Sequence, residues 1–328
     1  MNKKNEDLVI YRKTLVIFGV SSFVGSSLAE FFKKDYKVIG TYNKNPVSIP
    51  GVLTIPCDVL VKEEVQLVPF AFKPEISLYC AGISSIQDCS KYDDRAEALN
   101  TSGLFNVAEY CQRYKSQICY ISSSFVFGGE NRSYIEMDIP DPNTIYGKTQ
   151  AAAEFYIQKT SLNYVIFRTS KLYGRGINSM KPTFFENLQR KLKLNQPSNV
   201  DSFLQTGFMD VAFLGMVMKI CFDKGVQNRL LQVTTSDTMN HYEFAKTYCE
   251  VFGESADLIS KAKWALPVMQ GSGTGSTLRY KLDLANIEGF LNIEMPTIKE
   301  SLEFTYKRLN GDESSKGKSS KGEGVQFI

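Results

Sequence analysis

The sequence predicts a doubly wound α/β fold, a parallel sheet covered by helices on both faces, followed by a smaller mixed C-terminal lobe. Three observations lead there. Short β-branched or aromatic runs alternate with longer helix-like segments through the first half, the pattern of parallel strands joined by crossover helices. A glycine turn links the first strand to the first helix, and the texture of the chain changes after Tyr173. The 328 residues allow one large or two ordinary domains with a sizeable core.

The elements follow in order. Candidate strands are the apolar runs Thr14–Phe18, Lys37–Thr41, Val52–Ile55, Ile76–Tyr79, Ile118–Ser122 and Tyr164–Arg168. Between them lie helical stretches at Val24–Lys33, Val61–Pro69, a long Arg95–Tyr114, and Gly147–Gln158 with its run of three alanines. Past Tyr173 come the basic, amide-rich stretch Gln189–Asn199 and two helical patterns, Val211–Phe222 and Tyr242–Val251, which read as additions closing over the sheet. Gly271–Ser276 has linker composition, and Asn310–Gly324, built of Ser, Gly, Lys and Glu, is expected to be a disordered tail.

Composition removes several function classes. Lys and Arg number 38 against 35 acidic residues, a net charge of +3 that gives no basic footprint for nucleic acid. The single histidine, His241, excludes zinc sites with two or more His ligands and would have to carry any Ser-His-Asp triad alone. No metal site is expected. Seven cysteines without a C-x-x-C pair read as reduced, buried thiols. The apolar runs Leu15–Phe18 and Val211–Met218 are too short for a signal-peptide core or for the roughly 20 residues of a membrane span. The expected location is the cytoplasm, with no membrane contact.

The glycine turn is the first motif with chemistry. Thr14–Phe18 runs into Gly19-Val-Ser-Ser22-Phe-Val-Gly25 and then a helix, an order that brings backbone N–H groups at a helix start against a pyrophosphate. This marks a Rossmann-type sheet, with Gly19, Ser22, Phe23, Val24 and Gly25 at the dinucleotide. The Ser22 hydroxyl is placed to donate to a phosphate. The second strand ends in Asn43-Lys44-Asn45, without the acidic residue that holds the ribose 2′-hydroxyl of NAD. Lys44 would pair with a 2′-phosphate, favouring NADP over NAD, although a surface lysine in a polar turn reads equally well. Asp58, after the third strand, is placed to accept from the adenine amino group.

Ile121-Ser122-Ser123-Ser124-Phe125-Val126-Phe127, followed by Tyr146-Gly-Lys148-Thr-Gln150, carries a family resemblance. Together with Ala81-Gly82, Asn100, Arg168-Thr169-Ser170, Asp210-Val211-Ala212 and Leu282-Asp283, these stretches resemble the extended short-chain dehydrogenase/reductases. Within them the chain is most similar to dTDP-4-dehydrorhamnose reductase and the regulatory beta subunit of methionine adenosyltransferase. The resemblance covers roughly residues 14 to 306.

It implies an NAD(P)-binding domain over 12–173 with returning segments from the second half, a substrate lobe over 174–309, and a tail over 310–328. It implies cofactor contacts from the glycine turn, Asn43, Lys44, Asp58, Val59, Cys80, Ala81, Gly82, Asn100, Tyr146 and Gln150. In the family a Ser or Thr polarises the substrate carbonyl, a Tyr gives it a proton, and a Lys four residues on holds the nicotinamide ribose and lowers the Tyr pKa. Here the serine is Ser123, the tyrosine Tyr146, and the lysine position holds Gln150.

A carboxamide cannot supply the field of an ammonium. Lys148, two residues from Tyr146, points about 200° away on a helix and is no substitute. Lys171 is the candidate for a relocated cation. Ser124 and Phe125 replace an Asp-Tyr pair near the sugar, and with Lys171 and Thr206 they form the expected substrate side. Arg190, Lys191 and Lys193 read as a solvated helix end or as contacts to a nucleotide diphosphate; His241 and the lone Trp264 read as structural. Two functions follow. One is an NAD(P)-dependent reductase of a nucleotide-linked 4-keto sugar. The other is a catalytically silent protein that binds NADP or a sugar nucleotide and regulates a partner enzyme. The resemblance also implies a homodimer.

Overall fold

The computed structural model describes residues 11–177, 182–262 and 278–311. Seven parallel strands form the main sheet: β1 (Thr14–Phe18), β2 (Lys37–Tyr42), β3 (Leu53–Pro56), β4 (Ile76–Tyr79), β5 (Gln117–Ser123), β6 (Tyr164–Thr169) and β7 (Arg229–Val233). Their order is β3-β2-β1-β4-β5-β6-β7. The order reverses between β1 and β4, and in such sheets ligands bind outside the carboxyl ends of the strands at that switch point.

Both faces of the sheet are covered, which is why its central strands are buried along most of their length. Leu15 and Ile17 of β1 join one core with helix α1 (Phe23–Phe32), while Val16 and Phe18 join another on the opposite face. That second face is packed by α2 (Lys62–Phe72), α3 (Gly103–Arg113) and α4 (Ile145–Thr160).

Several boundaries differ from the sequence reading, each for a local reason. β3 starts at Leu53, because the Val52 N–H is taken by Ile49 O in a tight turn. The second helix runs through Pro69 to Phe72 and stops at Lys73, whose φ is +45°. The long helix over 95–114 is broken into Asp93–Glu97, a π-helical turn Ala98–Ser102, and α3. The helix Val211–Asp223 does not belong to the lobe. Its Leu214, Val217 and Met218 are buried in the α1 face of the sheet, and at Gly215 a Cβ would come within 2.9 Å of Phe31. After it the chain adds β7 at the sheet edge, a strand absent from the sequence reading.

The lobe has its own core, in which Phe185, Leu188, Phe208, Phe244, Tyr248 and Leu302 are buried together. Its helices Phe184–Lys193, His241–Phe252 and Ile298–Asn310 each begin with a capping box, at Thr183, Asn240 and Thr297. The basic stretch from Gln189 divides between the first of these, with Arg190, Lys191 and Lys193 in its last turn, and a short strand Ser198–Val200. Gly271–Ser276, Trp264 and the tail beyond Gly311 lie outside the described residues. Among the described residues, no helix is long and apolar enough to cross a membrane, and no acidic, Cys and His side chains gather as a metal site. All seven cysteines are unbridged thiols.

Candidate active site

A cleft of about 520 Å³ runs along the carboxyl ends of β1, β4, β5 and β6 and under the lobe. At one end is the glycine turn. Gly19 has φ +88°, and a Cβ there would stand 2.5 Å from Ala81 N; a Cβ on Gly25 would stand 2.4 Å from Gly19 O. Any larger residue would push the turn away from the sheet. Ser22 caps α1: its Oγ accepts from Gly25 N at 3.0 Å and donates to Gly19 O at 2.8 Å. The hydroxyl proton expected to meet a phosphate is therefore spent on the turn itself, which leaves backbone N–H groups for that task.

Phe23, Val24, Cys80, Ala81 and Gly82 line the adjoining wall. Asn100, carried by the π-helical turn, lines it too, but its amide is engaged within the chain. Its Oδ1 accepts from Ile83 N at 2.8 Å, and its Nδ2 donates to Ile83 O and to Thr149 Oγ1, both at 3.0 Å. Asn43 and Lys44 are exposed beyond β2, outside the cleft. Asp58 Oδ1 accepts from Leu60 N at 3.0 Å, and Val59 is buried against Tyr79 and Gly103.

The centre of the cleft holds Ser123 and Tyr146. Ser123 ends β5 and Tyr146 lies in the first turn of α4, whose N-cap Thr144 accepts from Gly147 N at 3.0 Å. A Cβ on Gly147 would fall 2.0 Å from Phe125 O, so only glycine lets the helix start this close to the β5 loop. That approach sets the Ser123 and Tyr146 side chains on the same wall of the cleft, close enough for the serine hydroxyl to act on the phenol. Burial pushes the Tyr146 phenol up to about 12; the Ser123 hydrogen bond works against this, and no cation does.

Gln150, one turn along α4, lines the cleft and is buried. Its Oε1 accepts from Tyr120 Oη on β5 at 2.7 Å. The next residue on the same helical face is Glu154, which pairs with Arg168 of β6 at 2.7 and 2.8 Å, with both side chains almost fully buried. This two-pronged bond fixes α4 against the sheet.

On the lobe side, Lys171 lines the cleft near His241 rather than Tyr146. Its side chain is open to the water of the cleft, yet enclosure by protein lowers its ammonium pKa. Phe125 and Thr206 line the cleft, whereas Ser124 is fully buried and does not. Lys148 is exposed. Among the cleft residues that the sequence reading of the site passed over are Tyr120 and His241. Tyr120 lies inside a candidate strand whose sequence gives no partner for its hydroxyl, and the helix-start position of His241 gave no direction to its ring.

The cleft can therefore hold an extended ligand, with backbone donors at one end, a hydroxyl pair at the middle and a cation at the other. Methionine adenosyltransferase 2 subunit beta of Bos taurus is 24% identical over 256 residues, 75% of this chain and 74% of that protein. A dTDP-4-dehydrorhamnose reductase of Aggregatibacter actinomycetemcomitans is 24% identical over 233 residues, 70% of this chain and 76% of its own. Among solved structures, a dTDP-4-dehydrorhamnose reductase from Bacillus anthracis in complex with NADP superposes with a TM-score of 0.76 at 22% identity, covering 91% of this chain and all of that one. Residues 13–308 match the RmlD substrate binding domain, and the chain belongs to that family.

Proposed function

We propose that this chain is an NAD(P)-dependent reductase of a nucleotide-linked 4-keto sugar. The observation that carries the reading is the placement of Ser123 and Tyr146 together on the wall of a cleft that reaches the glycine turn. The residues suit a dinucleotide: Gly19 and Gly25 keep backbone donors close to the sheet, and Gln150 sits where a nicotinamide ribose would be held. Lys44, exposed beyond β2, favours the 2′-phosphate of NADP. When bound, the nicotinamide supplies a hydride.

The protein's own part is to polarise the carbonyl through Ser123 Oγ and to give the forming alkoxide a proton from Tyr146 Oη. With the phenol at about 12, Tyr146 is protonated at neutral pH and remains ready to donate. The reverse reaction needs the phenolate, populated to only about 1 part in 10⁵ at pH 7.

A second reading, a silent binding protein that regulates a partner enzyme, is favoured by one observation: Gln150 is tied to Tyr120, and no cation acts on Tyr146. NADPH and NADH consumption with a panel of nucleotide-linked 4-keto sugars separates the two. Turnover that falls at least about 100-fold in Tyr146→Phe, with cofactor binding retained, is the expected result. Turnover indifferent to that substitution refutes the Ser-Tyr mechanism, and cofactor binding without turnover supports the regulatory reading.

A further inference from the structure

We infer that the lobe end of the cleft, formed by Lys171, Thr206 and His241, is an anion subsite that takes a carboxylate carried by the sugar. This rests on the reading of the cleft as a nucleotide-sugar site and adds the charge of the substrate.

Lys171 is held by its backbone, its N–H donating to Gly207 O at 3.1 Å and its strand pairing with Phe208–Asp210. Among the described residues no carboxylate pairs with its ammonium. Burial alone acts on it, lowering its pKa. A cation facing a cleft without a counter-charge of its own creates a local positive potential that draws an anion in.

Beside it Thr206, 1% exposed, presents an Oγ1 with no partner in the chain, as does Ser170, 8% exposed. Both line the cleft. The nearby carboxylate, Asp201, is engaged elsewhere: it accepts from Phe203 N at 3.2 Å and Leu204 N at 3.1 Å, and lies 3.6 Å from His241 Nδ1. Burial and the Lys171 charge lower the His241 pKa while Asp201 raises it, and the ring forms part of the wall of the subsite.

The register locates the anion. Ser123 pairs with Thr169 across β5 and β6, and Lys171 is two residues on. There the chain has left the main sheet to pair with Phe208–Asp210. A lysine rooted this close to the strand end that carries Ser123 reaches the sugar of a bound ligand, so the favoured anion is a substituent of the sugar, with the diphosphate as the competing source.

The test uses the full chain saturated with NADPH and calorimetric titration with UDP- and dTDP-linked glucuronate and glucose, and with the nucleoside diphosphates alone. The glucuronates are expected to bind at least about tenfold tighter than the glucose compounds. Lys171→Met should erase that preference, leave the neutral sugars within about twofold, and be rescued by Lys171→Arg. Unchanged NADPH binding shows that the variants fold. Equal weakening of acidic sugar, neutral sugar and diphosphate assigns Lys171 to the diphosphate and overturns the inference, as does no change in any of them. If NADPH binds but no nucleotide sugar does, the nucleotide-sugar reading fails instead. Free glucuronate against glucose then decides the subsite: Lys171-dependent preference for the acid sustains it and indifference ends it.

Discussion

Gln150→Lys returns an ammonium to the helical turn after Tyr146, where Tyr120 Oη, now 2.7 Å from Gln150 Oε1, can accept from it. A unit charge about 4 Å from the phenol, at an effective dielectric near 20, is worth about 4 kcal/mol, or roughly three pKa units as a ceiling. Water in the cleft screens part of this, which leaves a shift of about one to two units. A cation stabilises the phenolate, so the Tyr146 pKa should fall from about 12 towards the range of a tyrosine in water.

At pH 8 the phenolate fraction, and with it the rate of alcohol oxidation, should rise about 10- to 100-fold. The chain has 17 tyrosines, so one phenol must be isolated by difference. Phenolate absorbance would be titrated in Gln150→Lys and in Gln150→Lys/Tyr146→Phe, and the two curves subtracted. The ionisation of Tyr146 should then appear below pH 11. A difference curve that stays flat to that pH in two folded variants would refute the account of how the lost cation sets the phenol.

Two further outcomes test the frame around the site. Gly25→Ala sets a Cβ 2.4 Å from Gly19 O, so NADPH affinity measured by fluorescence titration should fall about 5- to 100-fold with the sheet intact. Glu154→Leu strands the Arg168 guanidinium, 3% exposed, and should cost about 3–5 kcal/mol in urea denaturation; the double variant with Arg168→Met should recover most of that loss.

The sheet was legible because its central strands are buried on both faces: Leu15–Phe18 is apolar throughout, and Ile76–Tyr79 is broken only by the small Ser77. β7 was not, since Arg229 and Gln232 break its apolar run and its place at the edge depends on pairing with β6. The spacing of Tyr146 and Gln150 was readable from the chain, but the partner of Gln150 lies 30 residues earlier on another element. The break in the long helix follows from contacts that Asn100 makes with Ile83 and Thr149, distant in sequence, and no helix propensity encodes those. Lys171 was recognised as a residue of the cleft, yet the neighbour on which its charge acts was set by the packing of the lobe.

The same Asn100 ties two separate elements of the cleft wall together. From Ile83 the hydrogen bonds pass through the Asn100 amide to Thr149 Oγ1, which donates to Tyr146 O at 2.8 Å. The loop at the dinucleotide end of the cleft and the helix that carries the proton donor therefore share their freedom. A change at Ile83 that displaces the Asn100 amide is carried, through Thr149, to the backbone of the residue that holds the proton donor.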